Sequence, residues 1–424
     1  MKKIVFFLLL FSLKTTAQSV EKITLEDCYQ WAQTAYPMAQ QRSLIQQSNQ
    51  LSTNTLQKNY LPQIELNAQA SYQSDVTQFP IKLPNIEVTP LSKDQYKMTL
   101  DVRQIIWDGG VIKMQKNVLQ STADVETQKV EVEINKLKDR INQLYFNVLQ
   151  IDENVKLIDL LKNDLANRIK KLEGAVANGT ALKMTIQTLE AENLKADQRL
   201  IELKSARSAT INMLNLLINK TLDDKTVFEK PTILPNSNIG LQVQNRPELT
   251  LFDLQKKQID QQITVKSLSN APRFMAFATG GYGRPGFNFL KNEFSFYGMG
   301  GLSFKWNLTD FYSKTLKNDI QIFKINQQLI DIQRDVFLLN TTIALRQQSE
   351  EINKYQQLIE KDRQILTLRQ KIKATTAVQL ENGILTANDY LIELNAENQA
   401  QQNLVLHQLQ LILAHINLRT TTGN

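Results

Sequence analysis

The side chains best suited to acid–base or metal chemistry are two histidines, one cysteine and a scatter of carboxylates. Their spacing assembles no site. His407 and His415 lie eight residues apart, two turns of a helix, whereas a shared tetrahedral metal needs ligands that converge. His407 also falls on an apolar stripe with Leu404, Leu411, Ala414 and Leu418, which reads as packing. Cys28 has no second cysteine to pair with and no metal spacing around it, so within Leu25–Ala32 it reads as a small buried thiol. No nucleophile–base pairing and no P-loop stands out, and the Ser, Asp and Glu residues are spread as on solvated helices. The sequence therefore offers no catalytic residue, no metal ligand and no cofactor motif, and a non-enzymatic role is expected. The formal net charge is +7, falling to +4 without Lys2, Lys3 and Lys14, and no basic face is clustered, so nucleic acid is not an expected partner.

The residues that carry information are those that punctuate long periodic stretches. Ile134, Leu137, Ile141, Leu144, Val148, Ile151, Val155 and Ile158 recur at spacings of three and four, a heptad seam. The seam breaks at Ala177-Asn178-Gly179-Thr180 and resumes as Leu182, Ile186, Leu189, Asn193, Ala196, Leu200 and Leu203. It returns as Ile322, Ile325, Leu329, Ile332, Val336, Leu339 and Ile343, then breaks at Glu381-Asn382-Gly383 before continuing to Leu418. Asn-Gly at both breaks has a plain cause, since these residues accept the positive φ at which a helix stops. Two very long helical hairpins are expected, about 108–220 and about 308–420. The first arm, Gly110 to Glu173, has 64 residues and would extend ~95 Å.

Ahead of the hairpins lie stretches of a different period. Residues 1–17 read as a secretory signal peptide: Lys2 and Lys3, the apolar run Ile4 to Leu13, then Thr15-Thr16-Ala17. That run is too short for a bilayer span of roughly 20 residues, and Cys28 is too distant for a lipid anchor. Thr24 caps a helix reaching about Lys58, with an interruption at Tyr36-Pro37. From Gln63 to Tyr72, Ile64, Leu66, Ala68, Ala70 and Tyr72 alternate with polar residues, predicting a strand at about 62–73. A second is expected at about 95–107, after a loop broken by Pro80, Pro84 and Pro90. Trp107-Asp108-Gly109-Gly110 closes it and opens the first hairpin. A connector, 223–245, carries Pro231 and Pro235. Arg246-Pro247-Glu248-Leu249 then leads another helix, followed by strands at about 272–283 and 293–306. In the last, Phe294, Phe296, Leu302, Phe304 and Trp306 share a face with Gly298 and Gly300, and Trp306-Asn307 opens the second hairpin.

The landmarks repeat: Pro37 to Pro247 and Pro62 to Pro272 are each 210 residues, Trp107 to Trp306 is 199, and Gly179 to Gly383 is 204. A duplicated unit explains this, with halves 18–222 and 246–424. The fold class expected is mainly α with membrane β, each half having two strands and a long helical hairpin. The strands match a bilayer crossing, yet four cannot close a barrel, and an open edge in lipid leaves backbone groups unsatisfied. An oligomer is therefore expected, two copies supplying eight strands or three supplying twelve. Trp107 and Trp306 at strand ends suit either an interfacial aromatic belt or packing anchors at a barrel–helix junction.

This order of features resembles the TolC family of outer-membrane efflux proteins over essentially the whole mature chain. The residues that carry the resemblance are Thr24-Leu25, Ala32, Ala35-Tyr36-Pro37, Tyr60-Leu61-Pro62-Gln63-Ile64, Trp107-Asp108-Gly109-Gly110, Asn178-Gly179, Asn245-Arg246-Pro247-Glu248-Leu249 and Asn382-Gly383. The resemblance implies a homotrimer with a 12-stranded β-barrel in outer-membrane lipid and a 12-helix tunnel projecting into the periplasm. It implies a passive exit duct of a tripartite efflux or type I secretion system, docking a periplasmic adaptor and, through it, an inner-membrane pump. By the same resemblance the turns Asn178, Gly179, Thr180 and Asn382, Gly383, Ile384 contact the adaptor and flank the closing aperture, and Asp389 is the acidic residue after the second turn. The first turn departs from the family, with Thr185 where an acid is expected and Lys183 nearby. A periplasmic adaptor is the alternative reading, but it would show one hairpin and compact β domains. A structural coiled-coil spacer would need no amphipathic strands.

Overall fold

A computed structural model describes residues 22–77, 90–232, 243 and 245–423. The signal peptide, Pro80, Pro84 and Pro235 lie outside the described residues. In chain order the elements are β1 (Lys22–Ile23), α1 (Leu25–Ala35), α2 (Gln41–Gln57), β2 (Gln63–Tyr72), β3 (Asp94–Trp107), α3 (Val111–Ala177), α4 (Lys183–Ile218) and β4 (Val227–Phe228). After them come α5 (Pro247–Ser267), β5 (Arg273–Arg284), β6 (Ser295–Lys305), α6 (Asp310–Ser313), α7 (Thr315–Glu381) and α8 (Ala387–Thr422). No helix among them is long and apolar enough to cross a membrane.

The duplication is metrical. α3 and α7 each have 67 residues, and α4 and α8 each have 36. Both ends of each helix in the second hairpin follow their counterparts by 204 residues, as Val111 and Thr315 or Ile218 and Thr422 do. At 1.5 Å per residue the longer arms run ~100 Å. The openings of the two hairpins differ. Trp306 was expected to lead straight into the second arm, but the chain first makes the single turn α6, then breaks at Lys314 with φ +55° before α7 begins.

The described chain forms two compact units. One comprises Gln40–Glu133 and Asn245–Asn340 and contains a four-stranded antiparallel sheet in the order β2-β3-β5-β6. Its register aligns like with like. Leu66, Leu100, Gly280 and Gly298 form one row, and Ala68, Met98, Tyr282 and Phe296 the next. The opposite face carries Glu65, Asp101, Thr279 and Met299, then Asn67, Thr99, Gly281 and Tyr297. The apolar face has no cover among the described residues: Ile64, Leu66, Phe296 and Leu302 are 65–87% exposed.

The other unit joins the N-terminal stretch through Ala39 to Ile134–Gln244 and Thr341–Asn424. Its core begins where β1 pairs in parallel with β4 and Tyr145 donates to the carbonyls of both Ile23 (2.8 Å) and Glu229 (2.6 Å). Cys28 is fully buried there beside Tyr29, Ile141, Leu214 and Ile218, and burial pushes its thiol pKa up to about 12. A second cluster fills the far end of the hairpins with Ile158, Leu165, Leu189, Leu200, Tyr390 and Leu394.

The heptad seams divide unexpectedly. In α3 the seam is the core, with Ile134, Ile141, Val148 and Ile158 all buried. In α7 the same spacing leaves Ile322, Ile325, Leu329, Ile332, Val336, Leu339 and Ile343 all exposed by 45–60%. Identical periodicity thus marks a buried seam in one repeat and an unpartnered stripe in the other.

Candidate functional site

The first group of sequence-picked residues lies where β3 meets α3. Trp107 is the last strand residue, and its ring packs 5.9 Å from Phe274. Asp108 is buried and caps the helix: Oδ2 accepts from the Ile112 N–H at 2.6 Å, and Oδ1 from the Gly110 N–H at 2.9 Å. Tyr60 donates its hydroxyl to the same Oδ1 at 3.0 Å. A helix N-terminus carries unsatisfied donors, and this carboxylate meets two of them. Gly109 and Gly110 then turn the chain at φ +72° and +83°. A Cβ on Gly109 would stand 2.4 Å from Ala271 Cβ, whereas one on Gly110 would meet nothing within 4 Å. Trp306 follows β6 directly and is 47% exposed, matching Trp107 at 46%.

The second group forms the hairpin turns, and both are one motif. Gly179, at φ +72°, donates to Val176 O (3.0 Å), and Thr180 donates to Ala175 O (2.8 Å). Gly383, at φ +70°, donates to Leu380 O (3.1 Å), and Ile384 to Gln379 O (2.9 Å). These are Schellman caps, in which a left-handed residue satisfies the last helical carbonyls. Neither glycine is crowded, so the backbone angle selects it.

The return helices start differently. Thr386 and Asp389 make a capping box. Asp389 Oδ2 accepts from the Thr386 N–H (3.0 Å) and hydroxyl (2.6 Å), and Thr386 Oγ1 accepts from the Asp389 N–H (3.2 Å). The Thr386 hydroxyl, then its N–H, hold the Asp389 pKa below the usual carboxylate value. α4 has Leu182 at its N-cap and no side-chain cap, with Thr185 in the place of Asp389. Leu182, Met184, Ile384 and Ile392 are 56–68% exposed around these turns. Between α4 and α8 runs a groove of about 510 Å³, lined in part by Met184, Ala191, Asn388, Leu391 and Ile392.

Behind the turns lies an ion network that sequence reading missed. Arg168 and Lys171 of α3 both reach Glu381, the last residue of α7, Lys171 at 3.1 Å. Lys373 bridges Asp164 (3.1 Å) and Glu397 (3.2 Å). Tyr390 donates to Asp164 and lies under the Arg168 guanidinium, 5.1 Å from ring centroid to carbon. The hydrogen bond from Lys171, and then the Arg168 and Lys171 charges, hold Glu381 below the usual carboxylate range. Burial pulls the Lys373 pKa down, but Asp164 and Glu397 outweigh it and hold the ammonium above the ordinary lysine value. Nothing local announces these partners, because Lys373 and Asp164 stand 209 residues apart.

His407 and His415 are not brought together on any metal-like cluster; among the described residues no group of three or more His, Cys, Asp or Glu side chains could hold an ion. His407 Nδ1 instead meets Asp362 Oδ2 at 2.5 Å, beside the Tyr355 ring. The apolar-stripe reading missed this carboxylate partner. His415 is half-buried, and burial lowers its pKa.

The chain thus combines duplicated halves, an antiparallel sheet with one bare apolar face and 67-residue helices reversed by Schellman turns. The chain matches no family model and no curated protein, but it shares this fold with solved channel structures. The outer membrane protein VceC of Vibrio cholerae is 16% identical, covering 94% of this chain and 96% of that one with a TM-score of 0.67. The CmeC outer membrane channel of Campylobacter jejuni is 13% identical over 94% and 85%, TM-score 0.63. The open MtrE channel of Neisseria gonorrhoeae is 16% identical over 94% and 89%, TM-score 0.60. The resemblance drawn from the sequence therefore holds at the level of the fold.

Proposed function

We propose that this protein is the outer-membrane exit duct of a tripartite efflux or type I secretion system, a passive conduit rather than an enzyme. The observation that carries the reading is the four-stranded sheet, whose edge strands β2 and β6 lack outer neighbours among the described residues and whose apolar face is bare there. In lipid that face is satisfied, but the edges are not, at several kcal/mol per unpaired backbone group. Further copies of the chain supply the missing neighbours, and three make a 12-stranded barrel wide enough for an aqueous pore. The exposed α7 stripe supports the same conclusion, since seven apolar residues in heptad register need a facing helix. The Trp107 and Trp306 ends of the strands then lie at the periplasmic interface, with the helices in the periplasm.

The turns around Gly179 and Gly383, with exposed Leu182, Met184 and Ile384 and the groove beside them, offer the surface for a periplasmic adaptor that links an inner-membrane pump. Apolar anchors beside a groove are what a helical partner uses. The adaptor and spacer readings of this chain itself fit less well, because neither needs a bare strand face of bilayer length.

The test is mass and conductance. Protein extracted from outer membranes should have a detergent-corrected mass of three chains and conduct in a planar bilayer. A monomer that needs no detergent, or a trimer that does not conduct, overturns the reading.

A further inference from the structure

A pocket of about 770 Å³ opens between α3, α4 and the segment from Asp224 to Lys230. That size is in the range of small-molecule sites. Its floor is apolar, formed by Leu149, Val155, Val227 and Phe228, and Leu149 and Phe228 are buried. Five cations stand around it, Lys156, Lys204, Arg207, Lys225 and Lys230, against three carboxylates, Asp152, Glu153 and Asp224. The excess is positive, and it falls on particular residues. Arg207 is consumed by Asp152 (2.5 Å) and by the carbonyls of Asp224 and Thr226 (both 2.8 Å). Lys156 and Lys230 share Glu153 at 2.8 and 3.0 Å. Lys204 and Lys225 make no ion pair among the described residues, nor does Asp224, and all three are exposed at the rim, leaving two uncommitted ammonium groups against one carboxylate.

The pocket is also pre-formed. Arg207 ties the lip to its own helix, α4, through its two carbonyl contacts and α4 to α3 through Asp152, and the Thr226 hydroxyl donates to Asp223 Oδ1 at 3.1 Å while accepting from the Asp223 N–H. Phe228 is held edge-on against Tyr145, centroids 5.3 Å apart. A wall fixed before binding spares the ligand the cost of ordering it. An apolar floor under two uncommitted ammonium groups selects a molecule with an apolar body and an anionic head. A neutral apolar compound would leave the lysines unused, and a small inorganic anion would leave the floor wet.

We propose that this pocket binds small amphipathic anions, with the apolar body on Leu149, Val155, Val227 and Phe228 and the head group between Lys204 and Lys225. The pocket lies within one of the two units, and the proposal does not depend on the exit-duct reading or on an oligomer.

The test is isothermal titration of the purified full-length protein in a nonionic detergent, with titration into detergent alone subtracted. The probes are 2-naphthoate and its neutral analogue 2-naphthylmethanol. The expected result is saturable naphthoate binding, at least tenfold tighter than the alcohol and weakened by added salt. The double variant Lys204→Gln/Lys225→Gln should lose that preference, while Lys170→Gln/Lys371→Gln, which removes equal charge from exposed sites elsewhere, should keep it. Absence of saturable naphthoate binding, equal affinity for both probes, or an unchanged preference in the Lys204/Lys225 variant would each overturn the proposal.

Discussion

The Thr279 hydroxyl donates to Asp101 Oδ1 at 2.6 Å, joining β5 to β3 where the sheet halves of the two repeats meet. Asp101 Oδ2 also accepts from Asn67 on β2 (2.9 Å) and from Thr99 (3.0 Å). One carboxylate thus ties three strands on the polar face of the sheet. Asp101→Ala removes all three acceptor contacts, whereas Asp101→Asn keeps an acceptor oxygen. The alanine variant should lose its folded sheet at a lower temperature than the asparagine variant, read by heat-dependent mobility on semi-native gels. Equal shifts for the two would show that the contacts do not hold the strands.

Gly109 and Gly110 share a positive φ but differ in surroundings. Gly110→Ala should cost about 1 kcal/mol, the ordinary penalty for a left-handed alanine. Gly109→Ala adds a collision with Ala271 and should cost more than about 2 kcal/mol, because buried overpacking contributes a further 1–3 kcal/mol. Thermal unfolding followed by circular dichroism separates the two.

The two return helices differ by one capping box, and that difference can be moved. Thr386→Ala should destabilise the first turn of α8 by about 1 kcal/mol. Leu182→Thr with Thr185→Asp, which places the same box on α4, should stabilise its first turn by a similar amount. Hydrogen exchange should accelerate about fivefold over residues 387–392 in the first case and slow about fivefold over residues 183–188 in the second.

The ion network behind the turns has a pH window. Glu381 is depressed in the folded state, so its contribution is full above the ordinary carboxylate pKa and is lost as pH falls through the folded value. Lys373 is raised, so its contribution is full below the ordinary lysine pKa and is lost as pH rises through the folded value. Peptides covering 164–171 and 373–381 should be best protected from exchange between those limits, after correction for the intrinsic pH dependence of exchange. Glu381→Gln should weaken the acidic limb and leave the alkaline one.

On the exit-duct reading, the α7 stripe separates folding from assembly. Ile332 is 58% exposed in the single chain, so Ile332→Asp should leave the helical circular dichroism signal intact while lowering the detergent-corrected mass below that of wild type. Asp at buried Ile141 should instead unfold the protein, because it places an unpaired charge in the core.

The sequence by itself determined the elements and their punctuation. Helices and strands write themselves in local periods of 3.6 and 2, so the long arms, the four strands and the duplication were legible. The Asn-Gly turns were legible because positive φ is a property of the residue and its immediate backbone. The Asp389 cap also left a local signal: Thr386 precedes it by the same three residues that separate Thr24 from Asp27, which cap α1 identically. The tertiary structure alone decided which apolar stripes find partners, since the α3 seam and the α7 stripe have the same spacing and opposite burial. It alone brought Asp101 to three strands, Lys373 to Asp164, and five cations around one apolar floor. The physical reason is range: backbone preference and side-chain period act over a few residues, whereas ion pairing and burial depend on segments as much as two hundred residues apart meeting in space.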